Sequence, residues 1–264
     1  MTVISSFGST EQPQYLREYL ASAATASGIR RVRAAGLALW DITGQLLDAG
    51  CGNGEVAREL AALLPDSEVT ALDHSADAIA EATRGHDGSQ VRYEVGDIYT
   101  VPYADGHFDG VRTERVLQHL AEPDRAVAEL ARVLRPGGRM LLIDTDWDSL
   151  LVDGSPAGFN DRLRELFTEA RRQMNAAGDP SSGRTLRRRM IQAGLTDVRV
   201  EPVTVAFTDI AEASLVLPLR REMIGAVIED TPVTQAWFTD LDAAVADGTF
   251  LATLTMWVAA GAKA

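Results

Sequence analysis

One stretch constrains this chain more than any other: an apolar strand that runs directly into a glycine loop, Leu46-Leu47-Asp48-Ala49-Gly50-Cys51-Gly52-Asn53-Gly54. Glycines at alternate positions permit positive φ and remove the Cβ atoms that would hold a ligand off the backbone, which suits a tight strand-to-helix turn around a nucleoside. A second acid, Asp73, closes the next apolar stretch. At about that distance from such a loop, an acid can accept hydrogen bonds from ribose hydroxyls. The spacing is Gly-x-Gly-x-Gly, not the Gly-x-Gly-x-x-Gly of dinucleotide sites. Glu55 would also place a carboxylate at the start of the following helix, where a pyrophosphate needs bare N–H groups. Taken alone, the loop is equally readable as a simple turn.

The segments downstream carry more information. Val91-Arg92-Tyr93-Glu94-Val95-Gly96-Asp97-Ile98 alternates as a strand and ends in an acid. Val101 to Val111 reads as a loop feeding a short buried strand, with the pattern Pro102-Tyr103-Ala104-Asp105 followed by Phe108-Asp109. Arg112 to Leu120 contains Val116-Leu117-Gln118-His119, and Val133-Leu134-Arg135-Pro136-Gly137-Gly138-Arg139 closes a helix before the apolar strand Met140 to Ile143. Asp48 favours a cationic or hydrogen-bond-donating ligand, and a sulfonium amino acid joined to adenosine fits both that acid and Glu55.

With these five segments in this order, the chain resembles the class I S-adenosylmethionine-dependent methyltransferases, in the small-molecule group of methyltransferase type 11. Tyr103 stands where that family's motif has Phe. The resemblance implies a doubly wound α/β fold whose seven-stranded, mostly parallel sheet has the order 3-2-1-4-5-7-6. S-adenosylmethionine is the cofactor it implies. Asp48, Gly50, Cys51, Gly52, Asn53 and Gly54 would form the loop of the site, and Asp73, His74 and Ser75 would line the ribose. Asp97 would accept from the adenine amino group, while Ile98 donates its N–H to the ring and covers one face. Thr113, Glu114, Arg115 and His119 would lie against the methionine half.

Composition narrows the partners. With 25 basic against 38 acidic residues the formal charge is −13, which disfavours a phosphate backbone as substrate. The arginine-rich stretches Arg30-Arg31-Val32-Arg33 and Arg184 to Arg189 read as solvated helix faces paired with local acids. Cys51 is the sole cysteine, so an intrachain disulfide and a four-cysteine zinc site are excluded, in keeping with a reducing cytoplasm. Its expected role is packing and cofactor contact. No basic-then-apolar leader and no run of about twenty apolar residues is present, so a cytoplasmic protein with no membrane partner is expected.

The expected organisation is a single domain, 1–264. Leading helices occupy 1–45, read from apolar spacing between Glu11 and Trp40. The cofactor-binding core is 46–145, with helices at Gly54–Leu64 and Arg125–Leu134. The substrate-side half is 146–264. That half should hold a loop from Trp147 to Asp161, helices near Asn160–Ala176 and Arg184–Ala193, a strand at Val198–Phe207, a helical insertion at 210–246 and a last strand at Thr249–Ala260. An exposed apolar face on the insertion would serve as lid or as interface, which leaves monomer and homodimer both open.

Methyl transfer from a sulfonium asks mainly for alignment, with the acceptor about 3 Å from the carbon and in line with the sulfur. An oxygen acceptor also needs a base. His119 and Asp146 are the candidates; the alternative for His119 is a structural or cofactor contact. Asp144, Asp146 and Asp148 alternate at the end of the fifth strand, so a continuing strand puts them on one face. They could hold a divalent metal or cap a helix N-terminus, and the family resembled implies no metal. His74, His86 and His107 read as loop or ribose-side residues, and Trp147, Phe159, Trp237 and Phe238 as pocket walls or core. The expected activity is methyl transfer to oxygen or nitrogen of a small organic acceptor, such as a specialised metabolite. A cofactor pocket used for cyclisation and a non-catalytic regulatory module are the alternatives.

Overall fold

The computed structural model describes residues 26–85, 88, 90–153, 179–217, 219 and 232–264. Seven strands form one sheet in the order β3-β2-β1-β4-β5-β7-β6, the order the resemblance implies. They are β1 (Gln45–Ala49), β2 (Glu68–Asp73), β3 (Val91–Val95), β4 (Phe108–Glu114), β5 (Leu134–Val152), β6 (Leu195–Phe207) and β7 (Ala252–Lys263). β7 alone runs antiparallel to its neighbours.

The central strands are apolar on both faces because helices cover both. Leu141 and Ile143 pack with Ile29, Val32 and Leu60 on one side; Met140 and Leu142 pack with Leu130, Leu186 and Met190 on the other. The first side is covered by α1 (Ser27–Trp40), α2 (Glu55–Leu63) and α3 (Ala76–Arg84), the second by α4 (Pro123–Val133) and α5 (Ser182–Gln192). In α1, Ile29, Val32, Arg33, Gly36 and Trp40 recur at helical spacing and are buried. Gly36 lets this helix approach closely, since a Cβ there would press on Leu141 and Ile143. Pro123 occupies the first turn of α4, where a missing N–H costs nothing. Lys263, the sole lysine of the chain, donates from Nζ to the carbonyls of Ala131, Arg132 and Leu134 and so caps the other end of that helix.

Several expected boundaries shift. The segment from Trp147 was expected to be a loop, but β5 continues through Val152, because β7 offers it a ladder that resumes at Leu151–Thr253 after a register break beyond Asp146. β7 begins three residues later than expected and ends at Lys263; β6 begins at Leu195, earlier than Val198. Within the expected insertion lie α6 (Ile210–Val216) and α7 (Pro232–Ala246); residues 218 and 220–231 lie outside the described residues. So do the leading segment before Ala26, the residues 154–178 that include Phe159 and the expected helix at 160–176, and His86. Trp237 and Phe238 are buried in the hydrophobic core, ring centroids 4.9 Å apart. Among the described residues no helix is long and apolar enough to cross a membrane.

Candidate active site

The glycine loop leaves β1 at its C-terminal end and is tied to the end of β2: the N–H groups of Gly50 and Cys51 both donate to Leu72 O, at 2.7 and 3.1 Å. Gly50, Gly52 and Gly54 have φ of 79°, 55° and 74°, the left-handed region that strains other residues. A Cβ at Gly50 would overlap Val116, and one at Gly54 would press on Tyr93, so both are packed beneath the loop. A Cβ at Gly52 would meet nothing within 4 Å, and the space over that residue is open. Asn53 Oδ1 accepts from Glu55 N at 3.3 Å, while Arg58 spans Asn53 O and Tyr93 Oη. The Cys51 thiol is buried and contacts Gly52 O at 3.7 Å; burial, with Asp48 and Asp73 beside it, pushes its pKa well up, so it stays protonated.

Asp73 ends β2 beside the loop. One carboxylate oxygen accepts from Gly52 N at 2.9 Å and the other from Ser75 N at 2.9 Å and from His74 Nδ1 at 3.3 Å. A carboxylate has about four lone-pair positions, so the oxygen facing Gly52 retains one. Burial works to raise this carboxyl, but His74 and the two N–H donors outweigh it and hold it below the usual range. The bond to Asp73 raises the His74 imidazole in turn. Ser75 is buried and spends its hydroxyl on Ala78 N as the cap of α3. Asp73 O accepts from Gly96 N, which sets Asp97 on the neighbouring strand end, exposed, with its Oδ1 on Tyr99 N. Ile98 is buried beside it. The loop, Asp73 and Asp97 therefore sit together on adjacent strand ends.

Sequence reading missed a chain of buried charge beneath this edge. Arg112 stands opposite Asp48 in the β1–β4 register and donates to it at 3.0 Å; its other nitrogen reaches Glu114 at 2.7 Å. Arg33 of α1 grips both oxygens of Glu114, at 3.2 and 3.1 Å, and donates to Glu59 at 3.2 Å. Glu114 thus presents no free carboxylate to a ligand: burial opposes its ionisation, yet Arg33, Arg112 and Arg115 together hold it down to about 2. Arg33 and Arg189 were expected on solvated faces and are buried instead, because each has acids to meet; Arg189 pairs with Asp124 and Asp179. A signal existed for both inner arginines. Arg112 interrupts a buried strand, and Arg33 falls on the apolar stripe of its helix, positions where a charge needs a partner.

Beyond β4, Arg115 takes φ 56° where the strand ends, and a 3-10 turn, Leu117–His119, follows. Thr113 is buried, with no partner for its hydroxyl among the described residues. His119 is half-buried on the turn, which hangs from Asp144: Gln118 N donates to Asp144 Oδ2 at 2.9 Å. The three acids of β5 do share a face, and that face meets the start of α5. Ser182 Oγ donates to Asp144 at 3.0 Å, Ser181 Oγ to Asp148 at 3.1 Å, and Arg184 takes both oxygens of Asp146. Asp146 is thus a carboxylate occupied by a guanidinium. Trp147 donates to Gln118 Oε1 at 2.7 Å, and His107 is exposed and packs against Tyr103 and Phe108. Among the described residues no group of three or more His, Cys, Asp or Glu is placed to hold a metal ion.

The donor set suits a cationic nucleoside better than a nucleotide. The edge offers acids, open backbone above Gly52, and one fully buried carboxylate oxygen of Asp48 that has no partner among the described residues. Residues 47–142 match the family model of a methyltransferase domain. A Streptomyces fradiae protein, an uncharacterised 37.1 kDa protein in transposon TN4556, is 36% identical over 80% of this chain and 60% of its own length. The 27-O-demethylrifamycin SV methyltransferase of Amycolatopsis mediterranei is 37% identical over 46% of the chain and 45% of its own length. The chain thus spans less than two thirds of either relative. In fold it is similar to phosphoethanolamine N-methyltransferase 2 of Haemonchus contortus, solved with S-adenosyl-L-methionine, at TM-score 0.62 and 17% identity, covering all of this chain and 60% of that one. Residues 47–142 thus match a methyltransferase domain, and the strand order and the likeness to the solved N-methyltransferase give the chain that protein's fold.

Proposed function

We propose that the protein moves a methyl group from S-adenosylmethionine to an oxygen or nitrogen of a small organic acceptor, with a specialised metabolite as the class of substrate. The observation that carries this reading is the convergence of the open backbone at Gly52 with Asp73 and Asp97 on neighbouring strand ends. The named relative that acts on a rifamycin supports the acceptor class. The reading takes 1–264 as one domain, with a cytoplasmic setting suited to a lone reduced cysteine.

When bound, S-adenosylmethionine supplies an electrophilic methyl on a positive sulfur, with a neutral thioether to depart. The chain's own residues then have three tasks. Gly50, Cys51, Gly52, Asn53 and Gly54 form a floor of exposed backbone, and Asp73 accepts the ribose hydroxyls with its remaining lone pairs, His74 and Ser75 fixing its orientation. Asp97 and Ile98 read the adenine. Asp48, with the ends of Thr113, Glu114 and Arg115, bounds the amino-acid half. His119, held by the Gln118–Asp144 bond, takes the proton from an oxygen acceptor. Asp146 acts as a base in this scheme only if Arg184 releases it; held as it is, it places Arg184 at the mouth.

Calorimetric titration with S-adenosylmethionine tests the donor. Absence of heat and of thermal shift at millimolar ligand removes it. Incubation with methyl-labelled donor and fractionated extract of the source organism tests transfer, and the labelled product identifies the acceptor. Donor binding without label in any fraction favours the cyclisation reading.

A further inference from the structure

The glycine loop is flanked by two acids, Asp48 before it and Glu55 after it, and both lead to one side chain on α1. Arg112 bridges Asp48 to Glu114, and Glu114 accepts both hydrogen bonds from Arg33 Nε. On the far side of the loop, Glu55 and Glu59 share one face of α2, with Arg33 Nη1 4.0 Å from the first and 3.2 Å from the second. Arg33 and Arg112 are 4% and 2% exposed, so little water screens these pairs. A small cavity lined by Arg33, Val56, Glu59, Arg112 and Ile143 lies along the seam. Within the network four acids, Asp48, Glu55, Glu59 and Glu114, face two buried arginines, with Arg115 3.8 Å from Glu114. Remove Arg33 and mutually repelling carboxylates on both flanks of the loop lose their shared counter-charge.

We propose that Arg33 is a positioning residue through which the seating of helix α1 and donor binding in the glycine loop are coupled. It rests on the donor reading given above. Arg33 acts through its acids: Glu114 ties it to β4 and, by way of Arg112 and Asp48, to β1, and Glu55 and Glu59 tie it to α2. Because a coupling free energy works in both directions, a donor that orders the loop also seats α1 more firmly. The fork geometry matters, since Lys in the same place keeps the charge and loses the paired bonds to Glu114.

Donor titration of the full-length protein and of R33K and R33M tests this, with hydrogen exchange of the peptide spanning 29–37 in the wild type with and without S-adenosylmethionine. The expected order from tightest to weakest is wild type, R33K, R33M, with about a tenfold loss of donor affinity in R33M that R33K recovers in part. Exchange in 29–37 slows when the donor is added. Wild-type affinity in R33M, or exchange in 29–37 that ignores the donor, overturns the coupling while leaving the donor reading standing. A wild type that binds no donor overturns both. If R33M fails to fold, R33K and the exchange measurement decide the matter.

Discussion

Asp48, Asp73 and Asp97 line the sheet edge over β1, β2 and β3; Asp144, Asp146 and Asp148 line the same edge on β5, just past its last pair with β4. Residue type and place match, but what holds them differs. Asp73 is fixed largely by backbone N–H groups, of Gly52 and Ser75, and keeps lone-pair capacity toward the open space over the loop. Each β5 acid is also met by a side chain at the start of α5, two serines and an arginine in all, and Asp144 accepts besides from Gln118 N and Thr145 N, so their charge is consumed inside the protein. A strand-end acid keeps lone pairs for a further partner where backbone donors largely hold it, as at Asp73, and is engaged within the protein where side-chain hydroxyls or cations meet it, as on β5 and at Asp48 beside Arg112. The difference between the rows lies in the elements facing them.

The comparison can be broken most directly at Asp144, which is fully buried and accepts from Gln118 N, Ser182 Oγ and Thr145 N. Asp144→Ala leaves those donors unsatisfied and should cost about 3–5 kcal/mol in urea unfolding; a loss under about 1 kcal/mol would place the β5 row outside the framework. Next comes acid. The Glu114 carboxyl is held at about 2 against an ordinary 4.5, so its contribution is full above 4.5 and is lost as the pH falls through that window. The amount is on the order of 3 kcal/mol. Urea midpoints of wild type and Glu114→Gln across that range should converge as the pH drops; parallel curves would contradict the assignment.

Asp73→Ala sharpens the other row. It should weaken donor binding by on the order of 1–3 kcal/mol, with calorimetry as the readout, and unchanged affinity would remove Asp73 from the ribose site. Arg184→Met carries the smallest effect. That side chain is 45% exposed, so despite its two bonds to Asp146 the stability change should stay within about 1 kcal/mol. A rise in activity toward an oxygen acceptor in that variant would show that Asp146, once released, works as a base.

What the chain's own order of residues determined is local. Strand and helix periods, the glycines that need positive φ, Pro123 in a first turn and the acid closing β2 are set by near neighbours, and their spacing alone pointed to the sheet edge where the glycine loop, Asp73 and Asp97 meet. Trp147 to Val152 escaped because a strand there exists only by pairing with β7, about a hundred residues away. The fates of the charges were settled only in three dimensions. Arg112 and Asp48 are 64 residues apart, Arg33 and Glu114 are 81 apart, and Arg184 and Asp146 are 38 apart. A buried charge is stable only against a partner, and which partner it meets depends on strand register and helix seating, which no short window of sequence contains.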